Sequence, residues 1–139
     1  MNKHRLPAAV GVAAAIVTGL VLAGCMLLSR PSVERVTWYV TSWSYQTAVP
    51  TDVSLSLYLD GHGYAGGTGV NDFTGTLVRD GHSLTLGEPR LTTRQSGTFT
   101  QQAAEKTFLS ALPQMTRWDL QGSSLTLTGG GREVVFRSR

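Results

Sequence analysis

Val53-Ser54-Leu55-Ser56-Leu57-Tyr58-Leu59-Asp60-Gly61 decides the fold class. Val53, Leu55, Leu57 and Leu59 alternate with Ser54, Ser56 and Tyr58, the period of a strand with one buried face, and Asp-Gly ends the run with the pair that tolerates positive φ in a tight hairpin. Upstream the same period runs through Val36, Trp38, Val40 and then Trp43 against Thr37, Tyr39 and Thr41. Downstream it recurs at residues 72–79, 83–86, 90–93, 117–120, 124–128 and 133–137. Asp80-Gly81 and Gly129-Gly130-Gly131 supply further turns. The pattern predicts a mainly β, antiparallel meander with short turns.

One segment departs from period two. Residues 100–112 (TQQAAEKTFLSAL) put Ala104, Phe108, Ala111 and Leu112 at helical offsets, which predicts a single helix packed by that stripe against the sheet. Thr98 and Gln101 have capping-box spacing, and Pro113 opposes further propagation. About three turns are marginal alone, so the stripe is expected to close over the sheet or an open barrel end.

The chain has 139 residues, 12 Lys and Arg against 9 Asp and Glu, and one Cys. A lone cysteine excludes a disulfide within the chain. Leu6 to Leu28 carries no charge, and all acids lie from Glu34 onward. Lys3 and Arg5 precede an apolar run ending in Leu22-Ala23-Gly24-Cys25, the layout of an export signal. The last four residues resemble the bacterial lipobox, which implies cleavage after Gly24 and a diacylglyceryl group on Cys25. The alternative is an uncleaved signal-anchor helix over residues 8–28, long enough to span a bilayer. Either way the remainder lies on the extracytoplasmic side. The expected organisation is a signal peptide over 1–24, a short tether over 25–33 and a nearly neutral domain over 34–139.

Gly66-Gly67-Thr68-Gly69-Val70-Asn71-Asp72-Phe73-Thr74-Gly75 is rich in residues that permit close backbone approach; Asn71 can bond neighbouring backbone, Phe73 points inward, and Gly75 permits a bend or bulge. The run resembles the G-C-N-x-[FY]-x-G core of the META/HslJ domain family. Trp38, the Leu-rich strand, Thr92-Thr93, the helix with Glu105, Phe108, Leu109 and Leu112, then Leu125, Leu127 and the strand Val134 to Phe136 follow the family's order. The resemblance implies a small barrel-like β fold with one helix, found in envelope lipoproteins. Structural family-motif positions are Gly69, Asn71, Phe73 and Gly75. The family's central Cys is Val70 here, and its second Cys, near Ser96 or Gly97, is absent too, which implies a lost disulfide.

Catalytic chemistry is not legible. Gly61-x-Gly63-x-x-Gly66 satisfies a dinucleotide spacing without the strand-to-helix context it needs, and reads as a Gly-rich hairpin loop. His62 and His82 each follow Asp-Gly, but nothing in the sequence makes them converge on a metal. Ser83 lacks a nucleophile elbow, the Asp residues sit mostly in turns, and Glu105 reads as a helix-surface or cap residue. The dispersed Arg residues argue against nucleic acid. Trp38, Tyr39, Trp43 and Tyr45 read as core and rim packing. The expectation is a non-catalytic protein with no cofactor or metal, tied to the membrane through Cys25 or the amino-terminal helix. It binds or supports the envelope, with an envelope protein or cell-wall polymer as a possible partner. The alternative is a carrier of lipid or small hydrophobic ligands in a barrel mouth.

Overall fold

The computed structural model describes residues 32–139. Nine strands form one antiparallel sheet: β1 (Thr37–Trp43), β2 (Ser56–Asp60), β3 (Gly63–Gly67), β4 (Asp72–Asp80), β5 (Ser83–Leu86), β6 (Arg90–Leu91), β7 (Arg117–Gln121), β8 (Ser124–Gly129) and β9 (Arg132–Ser138). Their order is β3-β2-β1-β9-β8-β7-β5-β4-β6, and a further β3–β4 pairing closes the sheet into a ring. Consecutive strands pair from β1 to β5 and again from β7 to β9, as a meander requires, while β6 folds back to pair with β4. β1 pairs with β9 across the ends of the chain, and β5 meets β7 only at Ser83 and Arg117.

The alternation that predicts strands also fills the ring. Leu55, Leu57 and Leu59, with Trp38, Leu77, Leu84, Leu86, Leu125, Leu127, Val134 and Phe136, are all buried inside. The helix α1 (Phe99–Ala111) carries the predicted capping box, with Thr98 and Gln101 each bonding the other's backbone. It continues into a 3-10 turn at Leu112–Gln114, which accommodates Pro113 at an early helical position instead of ending the helical run at Leu112. Ala104, Phe108, Ala111 and Leu112 have no exposed surface, so the predicted stripe is the buried one. Phe108 stacks edge-on against Phe73 (5.7 Å) and lies 6.2 Å from Phe136, joining the helix to β4 and β9.

The hairpin turns at 60–63, 80–83 and 121–124 share one end of the ring with Thr37 and Ser138. Ser32 and Val33, read as the end of a tether, belong to the folded unit. Val33 is buried and its carbonyl accepts the Trp38 indole N–H at 2.9 Å.

Two sequence expectations are corrected. Residues 61–66, read as a hairpin loop, contain a strand, because Gly66 has no Cβ to strike the Ser56 carbonyl and the Phe73 ring between which it lies. Gly75 marks neither bend nor bulge, since β3 and β4 keep register past it and Tyr64 lays its ring where a Cβ would be. The bulge is in β1, between Val40 and Ser42 opposite β9.

Tyr64 also donates its hydroxyl to the Gly87 carbonyl at 2.6 Å. Burial, reinforced by Glu88, pushes its pKa up to about 12 from 10.0. A raised pKa in the folded chain adds stability that is complete below pH 10 and lost as pH climbs toward 12, because the unfolded chain ionises first. Tyr64→Phe is expected to cost about 1 kcal/mol at neutral pH through the lost hydrogen bond. Denaturant titrations should show that deficit shrinking through the alkaline window; a constant deficit would refute the assignment.

Candidate functional site

The glycine-rich core turns from β3 into β4 over Thr68–Asn71. Gly69 sits at φ +80 with Val53 packed where a side chain would project, so only glycine fits both the angle and the space. Thr68 and Asn71 are the buried polar residues among those described, at 0% and 5% exposure. That burial demands partners. Thr68 N–H donates to the Asn71 carbonyl (2.8 Å) and Asn71 N–H to Thr68 Oγ1 (2.9 Å), which closes the turn on itself.

The Asn71 amide then reaches out of its own loop. Nδ2 donates to the Gln95 carbonyl and to Glu105 Oε2, both at 3.0 Å. Oδ1 accepts from Thr93 Oγ1 (3.0 Å) and from the Gln95 N–H (2.6 Å). Thr68 Oγ1 also donates to Glu105 Oε2 at 2.5 Å. One amide therefore ties the turn, the segment before α1 and α1 itself. Glu105 is not a solvent-facing helix residue, because it stands beside Ala104 at the border of the buried stripe, where two donors converge on its carboxylate. A glutamate one position from a stripe residue was the available signal. Each polar atom named here serves another, so the cluster acts as a structural clamp.

Beside it, Val70 packs on the same segment: its Cγ2 lies 2.7 Å from where a Cβ on Gly97 would stand. Phe73 is buried between Tyr64 and Phe108. Cys25 and the rest of the lipobox lie outside the described residues. His62 and His82 occupy the tips of different hairpins, and among the described residues no group of three or more His, Cys, Asp or Glu is gathered as metal ligands.

The aromatic residues separate as alternation predicts. Trp38 is buried, while Tyr39 lies under the Arg139 guanidinium at 3.9 Å. Trp43 and Tyr45 meet edge-on at the rim, with Arg132 over Tyr45. Among the described residues the Tyr45 hydroxyl is buried without a partner, and burial raises its pKa, partly offset by Arg132.

Two clefts stand out among the described residues. One, of about 490 Å³, lies around Ser44, Gly129 and Arg132; the other, of about 310 Å³, lies around His82, Arg117 and Trp118. Among the described residues no helix is long and apolar enough to cross a membrane.

A family model described as the META domain matches residues 31–139. A protein from Burkholderia xenovorans solved by NMR is similar in fold, with a TM-score of 0.63 at 21% identity over 96% of this chain and 99% of that one. A crystal structure of a DUF4847 family protein from Bacteroides vulgatus gives 0.55 at 15% identity, covering 73% and 91% of the two chains. No curated protein matches the chain.

Proposed function

The chain belongs to the META domain family, and from that premise we propose that it is an exported, membrane-anchored lipoprotein of the bacterial cell envelope that binds or supports envelope components without catalysis. The observation that carries the reading is the sole cysteine, placed at Leu22-Ala23-Gly24-Cys25 behind Lys3, Arg5 and an uncharged apolar run. A diacylated cysteine supplies two acyl chains, enough for stable anchoring where one chain gives only marginal binding. A thiol used that way leaves none in the domain, which suits an oxidising compartment.

The non-catalytic part of the proposal draws support from the polar cluster. Asn71, Thr68 and Glu105, the buried and half-buried polar side chains of the glycine-rich turn and the helix beside it, are held by one another. The interior of the ring is occupied by Phe73, Phe108, Phe136 and the leucines, so recognition is assigned to the outer surface in preference to a hollow mouth.

Metabolic labelling with a palmitate analogue is expected to mark the wild-type chain, and Cys25→Ala is expected to abolish the label and leave a larger, uncleaved product. Equal label and equal size in the two proteins would leave the signal-anchor helix as the attachment.

A further inference from the structure

We propose that the outer face of β9, β1 and β2 binds a polymer of phosphodiesters, with Arg137 and Arg139 as its phosphate contacts. The strand register sets the patch. Tyr39 stands opposite Arg137 on one side and Ser56 on the other, and in the next row Thr37 stands opposite Tyr58. Their chain neighbours Trp38, Leu57, Leu59 and Phe136 fill the ring, so these side chains point away from it. Arg139 follows β9 with the parity of Arg137, and its guanidinium lies 3.9 Å from the centre of the Tyr39 ring. One tyrosine thus has two arginines beside it.

No acid answers them. The ion pairs among the described residues are Arg35–Asp60 and Arg79–Glu34, and within those residues neither Arg137 nor Arg139 donates a side-chain hydrogen bond. Along β8, β9, β1, β2 and β3 the outward positions hold two acids: Glu133, four residues or about 13 Å along the strand from Arg137, and Asp60, which Arg35 engages. Arginines elsewhere on the strands have other company. Arg79 donates to Glu34, Arg132 donates to the Ser44 carbonyl, Arg117 shares the outward face of β7 with Asp119, and Arg90 lies across from Thr74 on the strand that carries Asp72. Two like charges side by side with no carboxylate between them attract an anion.

Spacing selects the anion. Residues 137 and 139 are two apart on extended backbone, about 7 Å. Phosphates joined through glycerol are separated by six single bonds, and three bonds of an extended chain span about 3.8 Å, so successive phosphates also repeat at about 7 Å. Lipid phosphates are not joined to one another and have no fixed repeat to match. A guanidinium holds a phosphate through two parallel N–H donors. Arg139, already held on the Tyr39 ring, loses less rotamer freedom on binding than an unrestrained arginine. The glycerol links have the Tyr39 and Tyr58 rings to lie against.

This gives the envelope binding proposed above a ligand, and the test keeps it apart from the anchor. Full-length protein in polyoxyethylene detergent is titrated with poly(glycerol phosphate), and tyrosine ring resonances report the site. Tyr39 and Tyr58 should shift saturably, with Kd on the order of 0.1 mM, and more weakly as salt is added, while buried Tyr64 stays in place. Arg137→Gln combined with Arg139→Gln should weaken binding about tenfold or more, with Tyr64 at its native position as proof of folding. Arg117→Gln removes the same charge from an outward position more than a Debye length away, and should change Kd by less than about twofold. The proposal is overturned if neither Tyr39 nor Tyr58 moves, if the double variant binds as the wild type does, or if Arg117→Gln weakens binding as much as the double variant. It is also overturned if phosphatidylglycerol added to the micelles, or oligothymidylate, shifts Tyr39 more at equal phosphate. Cys25→Ala should titrate like the wild type, so loss of the anchor and loss of this site are separate results.

Discussion

Val70→Cys with Gly97→Cys, made in a Cys25→Ala background, is expected to oxidise to a cystine and stabilise the domain by about 2–3 kcal/mol. Val70 Cγ2 lies 2.7 Å from the Cβ position of Gly97. One further carbon–carbon bond of ~1.5 Å puts the two Cβ atoms within about 4.2 Å, inside the roughly 3.5–4.5 Å span of cystines. Gly97 is not among the positive-φ glycines, so its backbone accepts a side chain. The methyl group that would collide is the one the Val70 substitution replaces with sulfur. Closing a loop of this length restricts the unfolded chain by ~3–4 kcal/mol. Part of that is offset because Gln101 Oε1, 2.6 Å from the new Cβ and bonded to Thr98 N–H, must shift. Denaturant midpoints of the oxidised and reduced forms measure the gain. Thiols that stay free under oxidation, or coincident midpoints, would show that the two positions do not meet as described.

That pair of residues shows what the sequence could and could not convey. Resemblance to the META/HslJ family left Ser96 and Gly97 equally eligible as the partner of Val70, and it is the packing distance that puts Gly97 within reach. Strand periodicity was legible wherever large residues alternate, because burial of one face imposes period two. It failed over residues 63–67, where Gly66 forms a strand through what it lacks: alternation cannot be read from residues without side chains. Gly75 misled for a related reason, since its absent Cβ makes room for Tyr64, sixty degrees of aromatic tilt away from Phe73. The helical stripe was legible in full because its four apolar residues all face inward. Glu105 was not, as helix periodicity places a side chain on a face but does not say that a buried asparagine from residue 71 will meet it there.

Asn71→Asp is expected to destabilise the protein by about 3–5 kcal/mol at neutral pH, more than the loss of a typical hydrogen bond. The substitution preserves shape and keeps an acceptor for Thr93 and the Gln95 N–H. It replaces the donor that faces Glu105 Oε2 at 3.0 Å with a second carboxylate oxygen. Two carboxylates that close in a site 5% exposed at residue 71 cannot both stay ionised, so one must take up a proton to fold. The variant therefore folds with more protons bound than its unfolded chain holds at neutral pH, and its stability should recover as pH falls through the carboxylate range. Adding Glu105→Gln restores a donor opposite the new carboxylate and should return most of the loss at neutral pH. The Glu105→Gln change alone should cost only about 1–2 kcal/mol, because Thr68 Oγ1 keeps an acceptor there. A double-mutant cycle followed by chemical denaturation measures this coupling. Additive losses, or an Asn71→Asp deficit that is flat with pH, would mean that the two side chains do not share the contact.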